Sequence, residues 1–160
     1  MHRNTNPKDL LSLTQRAQNL CSRQEKCSSD IRFKLHAWGA DTEQSNAIIG
    51  ILLNDGYIDH RRYAKLFASE KARLSRWGPN RIAHALTLKG IDNELVQEAL
   101  AALCPHNTST QLRRIIVQKL RVTRANSATE LKAKVIRYAV ARGYNYHEAA
   151  AETDRAMSGE

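Results

Sequence analysis

Apolar residues recur at helical spacing along the chain, in runs that stop at glycines. Three of these glycines, Gly39, Gly90 and Gly143, are separated by 51 and 53 residues. Four and eight positions before each glycine stand two apolar residues one helical turn apart: Ile31 and Leu35, Ile82 and Leu86, and Val135 and Ala139. Residues four apart share one face of a helix. The pattern therefore predicts a degenerate internal repeat.

Each of the three glycines is followed, two positions on, by a residue that favours the start of a helix: Asp41, Asp92 or Asn145. Such side chains accept hydrogen bonds from the first free amides of a helix. Gln44 and Glu148 stand three residues later, where a reciprocal cap partner belongs. Glycine suits the preceding stop because the residue past a helix end often takes a positive φ. Each repeat thus reads as helix, glycine stop, cap and helix.

A further helical run precedes each of these pairs, at 10–26, 59–75 and 110–121. We therefore predict an all-α fold of three three-helix repeats, at 10–58, 59–105 and 106–155, between a frayed terminus at 1–9 and a tail at 156–160. A unit of about 50 residues buries little surface alone, so such repeats pack on each other in an elongated, curved array. The alternative is one irregular bundle in which the glycine spacing is a coincidence.

Two of the runs show which face is buried. In the second, Tyr63, Phe67 and Leu74, with Leu66 beside them, are predicted to face the core. In the third, the predicted core stripe consists of Leu112, Ile115, Ile116 and Leu120. Trp38 and Trp77 each precede a glycine and are expected to pack at helix junctions.

The chain is strongly basic, because 25 Lys and Arg residues against 16 Asp and Glu residues give a net charge of +9. Residues 59–90 hold eight basic and two acidic residues, and 111–142 hold nine and one. Such blocks imply an acidic partner surface or a polyanion, although any single exposed cation is more often a solvated charge. The candidates for partner or DNA binding are Arg61, Lys65, Arg73, Arg76, Arg81, Lys89, Arg113, Arg114, Lys119, Arg121, Lys132, Lys134 and Arg137.

Catalytic and metal-binding patterns are not found in the sequence. Three cysteines lack the paired spacing of zinc or redox sites, and the six histidines form no ligand pair with a carboxylate. The sequence contains no glycine-rich phosphate loop, nucleophile motif, secretory signal or apolar run long enough to span a membrane. We expect a cytoplasmic, non-enzymatic protein with reduced, partly buried thiols and no metal or cofactor.

One stretch in the middle of the chain carries a family motif, which is a more specific signal than the patterns above. Gly56, Tyr57, Ile58 and Asp59, followed by Arg62, Tyr63, Ala64 and Phe67, resemble the central motif of RecX proteins. The resemblance continues in register through Gly78, Arg81, Ile82, Leu86, Lys89, Gly90 and Ile91, and so covers about 36 residues. One departure is Ala85, where many members carry an acidic residue.

The resemblance to RecX implies an all-helical repeat protein that binds RecA recombinase, or its filament on single-stranded DNA, in the filament groove or at the growing end. It further implies that the protein limits the ATPase, strand-exchange and co-protease activities of RecA in DNA repair, recombination and the SOS response. The motif residues expected to have structural roles are Gly56, Tyr57, Asp59, Arg62, Tyr63, Phe67, Gly78, Ile82, Leu86 and Gly90.

Two questions remain open from the sequence. Asp59 either caps the following helix or orients Arg62, and the cap is favoured. Two helices joined by a glycine turn also describe a helix-turn-helix, so the alternative function is a direct DNA-binding helical module. The net charge predicts weak non-specific DNA binding in either case.

Overall fold

The structure, a computed structural model, describes residues 7–160, and this range contains nine α-helices and no strand. This confirms the all-α fold and the count of three helices for each glycine-centred unit. The predicted terminal segment 1–9 lies mostly outside the described residues. The helices are α1 Pro7–Arg23, α2 Ser28–Ala37, α3 Thr42–Asn54, α4 His60–Leu74, α5 Pro79–Leu88, α6 Asn93–Ala101, α7 Pro105–Val122, α8 Ala128–Ala141 and α9 Tyr146–Ser158.

The internal repeat is visible in burial and in backbone geometry. All six paired apolar residues of the repeat, from Ile31 to Ala139, are fully buried. The glycine after each pair has a positive φ: 89° at Gly39, 77° at Gly90 and 99° at Gly143. Side chains other than glycine are strained in this region. The glycine spacing therefore marks equivalent helix ends and is not a coincidence.

The three predicted caps behave differently. Asp41 accepts from the Gln44 amide at 2.8 Å, and the Gln44 side chain accepts from the Asp41 amide at 3.0 Å, as predicted. Asn145 accepts from the amides of His147 and Glu148. Asp92 occupies the cap position of α6, as predicted, but its side chain accepts no hydrogen bond from the helix amides. The hydrogen bond predicted for this cap is therefore wrong.

The helices group into two compact units. The first comprises the residues up to Ala64 together with Lys89–Ile91, and the second comprises Lys65–Leu88 and Asp92–Glu160. The first unit packs α1, α2 and α3 around a core that includes Leu35, Ile48 and Leu52. The predicted repeat bounds at 10–58, 59–105 and 106–155 remain a prediction.

In the second unit, α7, α8 and α9 enclose a core cluster. Leu112, Ile115 and Ile116 are buried there and Leu120 is partly buried, as the stripe on this helix predicts. Helix α7 begins at Pro105, five residues before the predicted start at Thr110. Proline suits this first helical position because the amide that it lacks would have no partner.

The buried face of α4 differs from the prediction. Leu74 is 65% exposed and Leu66 is 42% exposed, whereas Ala64 and Ala68 are fully buried beside the buried Tyr63. The buried stripe of this helix thus runs through small residues rather than through the larger leucines. Leu74 is also the last residue of the helix.

Gly78 and Gly143 bring two backbone segments of the second unit together. The Gly78 amide donates to the Arg142 carbonyl oxygen at 2.7 Å, and the Asn80 amide donates to the Gly143 carbonyl oxygen at 2.9 Å. A Cβ atom on Gly78 would lie 2.4 Å from the carbonyl carbon of Gly143. Gly78 is therefore required for close approach as well as for the turn before Pro79.

Candidate functional site

Arg62 is the centre of the motif that begins at Gly56. Its Nε donates to Glu25 Oε1 at 2.5 Å, and its Nη2 donates to the Gly56 carbonyl oxygen at 3.1 Å. Asp59 Oδ1 accepts from the Arg62 amide at 2.9 Å, and the other Asp59 oxygen lies 3.8 Å from the guanidinium. Both roles proposed for Asp59 thus occur together. The hydrogen bond to Glu25 raises the pKa of Arg62.

Arg62→Met is expected to lower the free energy of unfolding by about 1 to 2 kcal/mol, because it leaves the mostly buried Glu25 carboxylate without its cation. Partial exposure of Arg62 keeps the loss at the low end of the range for ion pairs. Urea unfolding provides the measurement. The control is Arg23→Met, since Arg23 is exposed on α1, and equal losses for the two variants would contradict this role.

The motif aromatics pack, as expected. Tyr63 is buried, and burial raises the pKa of its hydroxyl. Tyr57 packs against the core of the first unit. Phe67 meets the edge of Trp77, with ring centroids 6.4 Å apart. Ile82 and Leu86 are fully buried. These side chains therefore pack within the fold, Tyr57 and Phe67 only in part.

Four of the thirteen candidate cations are engaged by carboxylates of the same chain. The ion pairs join Lys89 to Asp30 at 2.6 Å, Arg113 to Glu152 at 3.0 Å, Lys132 to Asp154 at 2.6 Å and Lys134 to Glu130 at 2.7 Å. Burial acts to raise the pKa of Asp30, but hydrogen bonds from Lys89 and Cys27 outweigh it and the pKa is lowered. These four ion pairs weaken the case for their cations as partner contacts.

Eight other candidates form no ion pair with a carboxylate among residues 7–160, and all eight belong to the second unit. Arg61, on the first turn of α4, is exposed and has contacts of its own. The candidates without an ion pair therefore all lie in one unit. The eight residues are Lys65, Arg73, Arg76, Arg81, Arg114, Lys119, Arg121 and Arg137.

Two of these eight cations, together with Lys71 and Arg142, surround two aromatic rings. Trp77 has Arg81 over its ring at 4.2 Å and Lys71 at 4.8 Å. Tyr138 has Lys119 over its ring at 4.6 Å and Arg142 at 5.8 Å. We call Lys71, Arg76, Trp77, Arg81, Lys119, Tyr138 and Arg142 the aromatic-basic face. A cation over an exposed aromatic ring is stabilised there by about 0.5 to 1 kcal/mol.

The loop between α4 and α5 holds the aromatic-basic face in place. Arg76 has a φ of 53°, an unusual value for a residue with a side chain. Its guanidinium donates to Gln118 Oε1 at 3.4 Å, and its carbonyl oxygen accepts from the Tyr144 hydroxyl at 3.3 Å. Arg142 donates to the Ser75 carbonyl oxygen. The sequence did not indicate Tyr138 or Arg142, because the contacts with Lys119 and Ser75 join residues 19 and 67 positions apart.

A second feature brings Lys65, Arg73 and Arg114 together. They line a groove of about 420 Å³ beside the start of α7, which we call the basic groove. Its other lining residues include no carboxylate: Ser69, Ala72, Ala99, Ala102, Leu103, Cys104, Asn107, Thr108, Thr110 and Gln111. Cys104, expected to be partly buried, is exposed here. A larger groove of about 610 Å³ in the same unit contains Glu148 and Glu152.

Metal and membrane chemistry find no support in the described part of the chain. No group of three or more His, Cys, Asp or Glu side chains there is placed to hold a metal ion. None of its helices combines the length and apolar character needed to cross a membrane.

Known proteins resemble this chain in sequence. The family model for the second three-helix domain of RecX matches residues 59–100. Regulatory protein RecX of Thermus thermophilus is 30% identical over 80% of this chain and 80% of its own length. RecX of Finegoldia magna is 27% identical over 80% of this chain, and that of Lactococcus lactis subsp. cremoris 28% over 66%. The chain spans only 63% and 40% of the lengths of these last two relatives.

Solved structures agree on the fold. A crystal structure of a regulatory protein RecX superposes with a TM-score of 0.83 at 21% identity, over 91% of this chain and 71% of that one. The crystal structure of RecX from Lactobacillus salivarius superposes with a TM-score of 0.81 at 18% identity, over 96% of this chain and 99% of that one. Together with the sequence match to the Thermus thermophilus protein, these similarities show that the chain belongs to the RecX family of regulatory proteins.

Proposed function

We propose that this protein binds RecA filaments on single-stranded DNA and restrains their ATPase, strand-exchange and co-protease activities. Membership of the RecX family supports this function. The aromatic-basic face is the observation from which we assign it to particular residues. The protein acts by binding and not by catalysis. Its place of action is the cytoplasm, where RecA and DNA are found and thiols stay reduced.

The composition of the aromatic-basic face suits a protein partner. Trp, Tyr and Arg are the residues most enriched at the energetic centres of protein interfaces. Here Arg81 and Lys119 already lie over the rings of Trp77 and Tyr138, which favours these side-chain positions before a partner binds. Arginine also forms paired hydrogen bonds with carboxylates. The matching partner surface is acidic and accessible on the assembled filament.

Binding of this kind affects RecA in either of two ways. Contact with adjacent protomers stabilises one arrangement of the filament and resists the changes that accompany ATP hydrolysis. Contact at the growing end blocks the addition of the next protomer. Both depend on positive charge, and both lower the number of active RecA protomers on DNA.

The test is a titration of the purified chain into RecA on single-stranded DNA. The DNA-dependent ATPase and strand exchange are expected to fall at protein concentrations equal to or below that of RecA. Sedimentation of filaments provides a second readout, since the chain should pellet with RecA filaments. Unchanged ATPase and strand exchange, with the chain left in the supernatant, would refute the proposed function.

A further inference from the structure

We propose that copies of this chain bind one another head to tail, with the exposed leucines of α4 in one copy docked into the groove of about 610 Å³ beside α9 in the next. The docked surface of α4 consists of Leu66 and Leu74 with Lys65 and Arg73 beside them, and we call it the leucine-basic stripe. This contact lies beyond the proposed function, because it joins copies of the chain and needs no RecA.

The leucine-basic stripe combines apolar and basic side chains on the exposed side of α4. Leu66 and Leu74 stand two helical turns apart and are 42% and 65% exposed. Each follows a cation, Lys65 or Arg73, that forms no ion pair within residues 7–160. The whole helix holds five Lys and Arg residues and one acidic residue, Glu70. A basic amphipathic helix of this kind fits an apolar groove that carries acidic groups.

The groove of about 610 Å³, which we call the apolar groove, has the shape and lining that such a helix requires. Leu100, Leu103 and Leu112 line it together with Pro79 and Pro105. Helix α7 contributes positions 105, 108, 109 and 112, and α9 contributes 147, 148, 151, 152 and 155, so one face of each helix borders the groove. These two helices pack against each other. The space along them can therefore receive the side chains of a third helix.

The apolar groove is acidic although the chain as a whole is basic. Residues 91–110 and 143–160 together hold seven acidic residues and one basic residue, and each segment supplies five of the residues that line the groove. Glu152 is already bound to Arg113 and Arg155. Glu148 is exposed and forms no ion pair within residues 7–160. Its carboxylate is therefore available to a cation of another molecule.

Charge complementarity identifies a second copy as the occupant. The leucine-basic stripe offers apolar side chains between cations, and the apolar groove offers apolar side chains beside a carboxylate without an ion pair. Opposite charges at such a contact select the partner and its orientation. The net charge of +9 on each copy opposes association at long range. The contact is therefore weak, and it forms where salt screens that repulsion.

A contact of this kind adds copies in a row. The leucine-basic stripe and the apolar groove belong to the same unit and have no residue in common, so a copy that uses one keeps the other available. Contacts between two different patches do not close into a dimer with twofold symmetry. Head-to-tail growth is the expected result.

The first test is sedimentation equilibrium of the full chain at about 150 mM salt, without RecA. The average mass should rise with protein concentration from 18.1 kDa to at least one and a half times that value. A stripe variant with Leu66→Glu and Leu74→Glu should stay monomeric. Its control is Leu53→Glu with Leu88→Glu, which changes leucines that are 43% and 74% exposed on other helices, and it should associate as the parent chain does.

The second test blocks the apolar groove. The groove variant combines Glu148→Arg and Ala151→Arg, which place bulk and positive charge where the cations of the stripe would dock. Its control combines Glu43→Arg and Ala133→Arg, an acidic residue in the first turn of α3 and an exposed alanine of α8, with the same change in charge. The groove variant should stay monomeric and the control should associate. Circular dichroism confirms that all variants remain helical.

Mixing the two variants tests the head-to-tail arrangement itself. The stripe variant keeps a working groove and the groove variant keeps a working stripe, so an equal mixture should form a dimer that neither forms alone, and nothing larger. A contact between identical patches would not be restored by mixing. A parent chain that stays monomeric, equal association of a variant and its control, or a mixture that stays monomeric would overturn the inference.

These measurements contain no RecA, so they are independent of the proposed function. A monomeric chain that still inhibits RecA would overturn the head-to-tail contact and leave the RecA proposal standing. Self-association through the stripe and the groove, without any inhibition of RecA, would support the contact and refute the proposed function.

Discussion

Gly78→Ala is expected to lower the free energy of unfolding by about 3 kcal/mol or more. The added Cβ would lie 2.4 Å from the carbonyl carbon and oxygen of Gly143 and 2.5 Å from the Tyr144 amide nitrogen. These are backbone atoms held by the hydrogen bond between Gly78 and Arg142, so they cannot turn away as a side chain would. Overpacking without an escape route commonly costs 1 to 3 kcal/mol, and more where backbone must move.

The control is the same substitution at Gly50, which lies inside α3 with no atom within 4 Å of an added Cβ. Gly50→Ala should raise the free energy of unfolding by about 0.5 to 1 kcal/mol, because alanine restricts the unfolded chain and favours helix. Urea unfolding followed by circular dichroism measures both. A Gly78→Ala variant as stable as the parent protein would contradict the close backbone crossing.

Leu112→Ala is expected to cost about 2 to 4 kcal/mol of unfolding free energy. Leu112 is 4% exposed and belongs to the core of α7, α8 and α9. Removing three buried carbons loses their transfer free energy and leaves a cavity.

The matched control is Leu74→Ala in the same unit, where the same atoms are removed from a side chain that is 65% exposed. It should change stability by less than about 0.5 kcal/mol. Similar losses at both positions would show that Leu74 is buried, as the helical spacing of α4 suggested, and that the face assigned to this helix is wrong.

Local regularities made much of the fold predictable. Each glycine stop depends on a backbone conformation that only glycine adopts without strain, and each apolar pair depends on the period of one helix. Both signals lie within about ten residues, so Gly39, Gly90 and Gly143 could be recognised without knowing any tertiary contact. The motif around Arg62 was also identified, although its ion pair with Glu25, 37 residues earlier, was not.

Features that depend on contacts between distant residues could not be predicted. Nothing near Gly78 in the sequence shows that Gly143 approaches it. The face of α4 was misassigned because hydrophobic size favours leucine, whereas the residues that are buried beside Tyr63 are Ala64 and Ala68. The thirteen candidate cations were identified by charge alone, and only the structure separates those bound to carboxylates from those without an ion pair.

The structure also divides the cations without ion pairs by their surroundings. Arg81 and Lys119 stack on aromatic rings, as is common in protein interfaces. Lys65, Arg73 and Arg114 line a polar groove without rings. We assign Arg81 and Lys119 to the RecA interface.

The most direct test of the RecA proposal is the concentration of protein that halves the DNA-dependent ATPase of RecA. A variant with Arg76→Glu, Arg81→Glu and Lys119→Glu is compared with Arg23→Glu, Arg124→Glu and Lys34→Glu, which reverses the same number of charges away from the aromatic-basic face. The first variant should need at least ten times more protein than the parent chain, and the second less than three times more. Equal inhibition by both variants would contradict the assignment of RecA binding to this face.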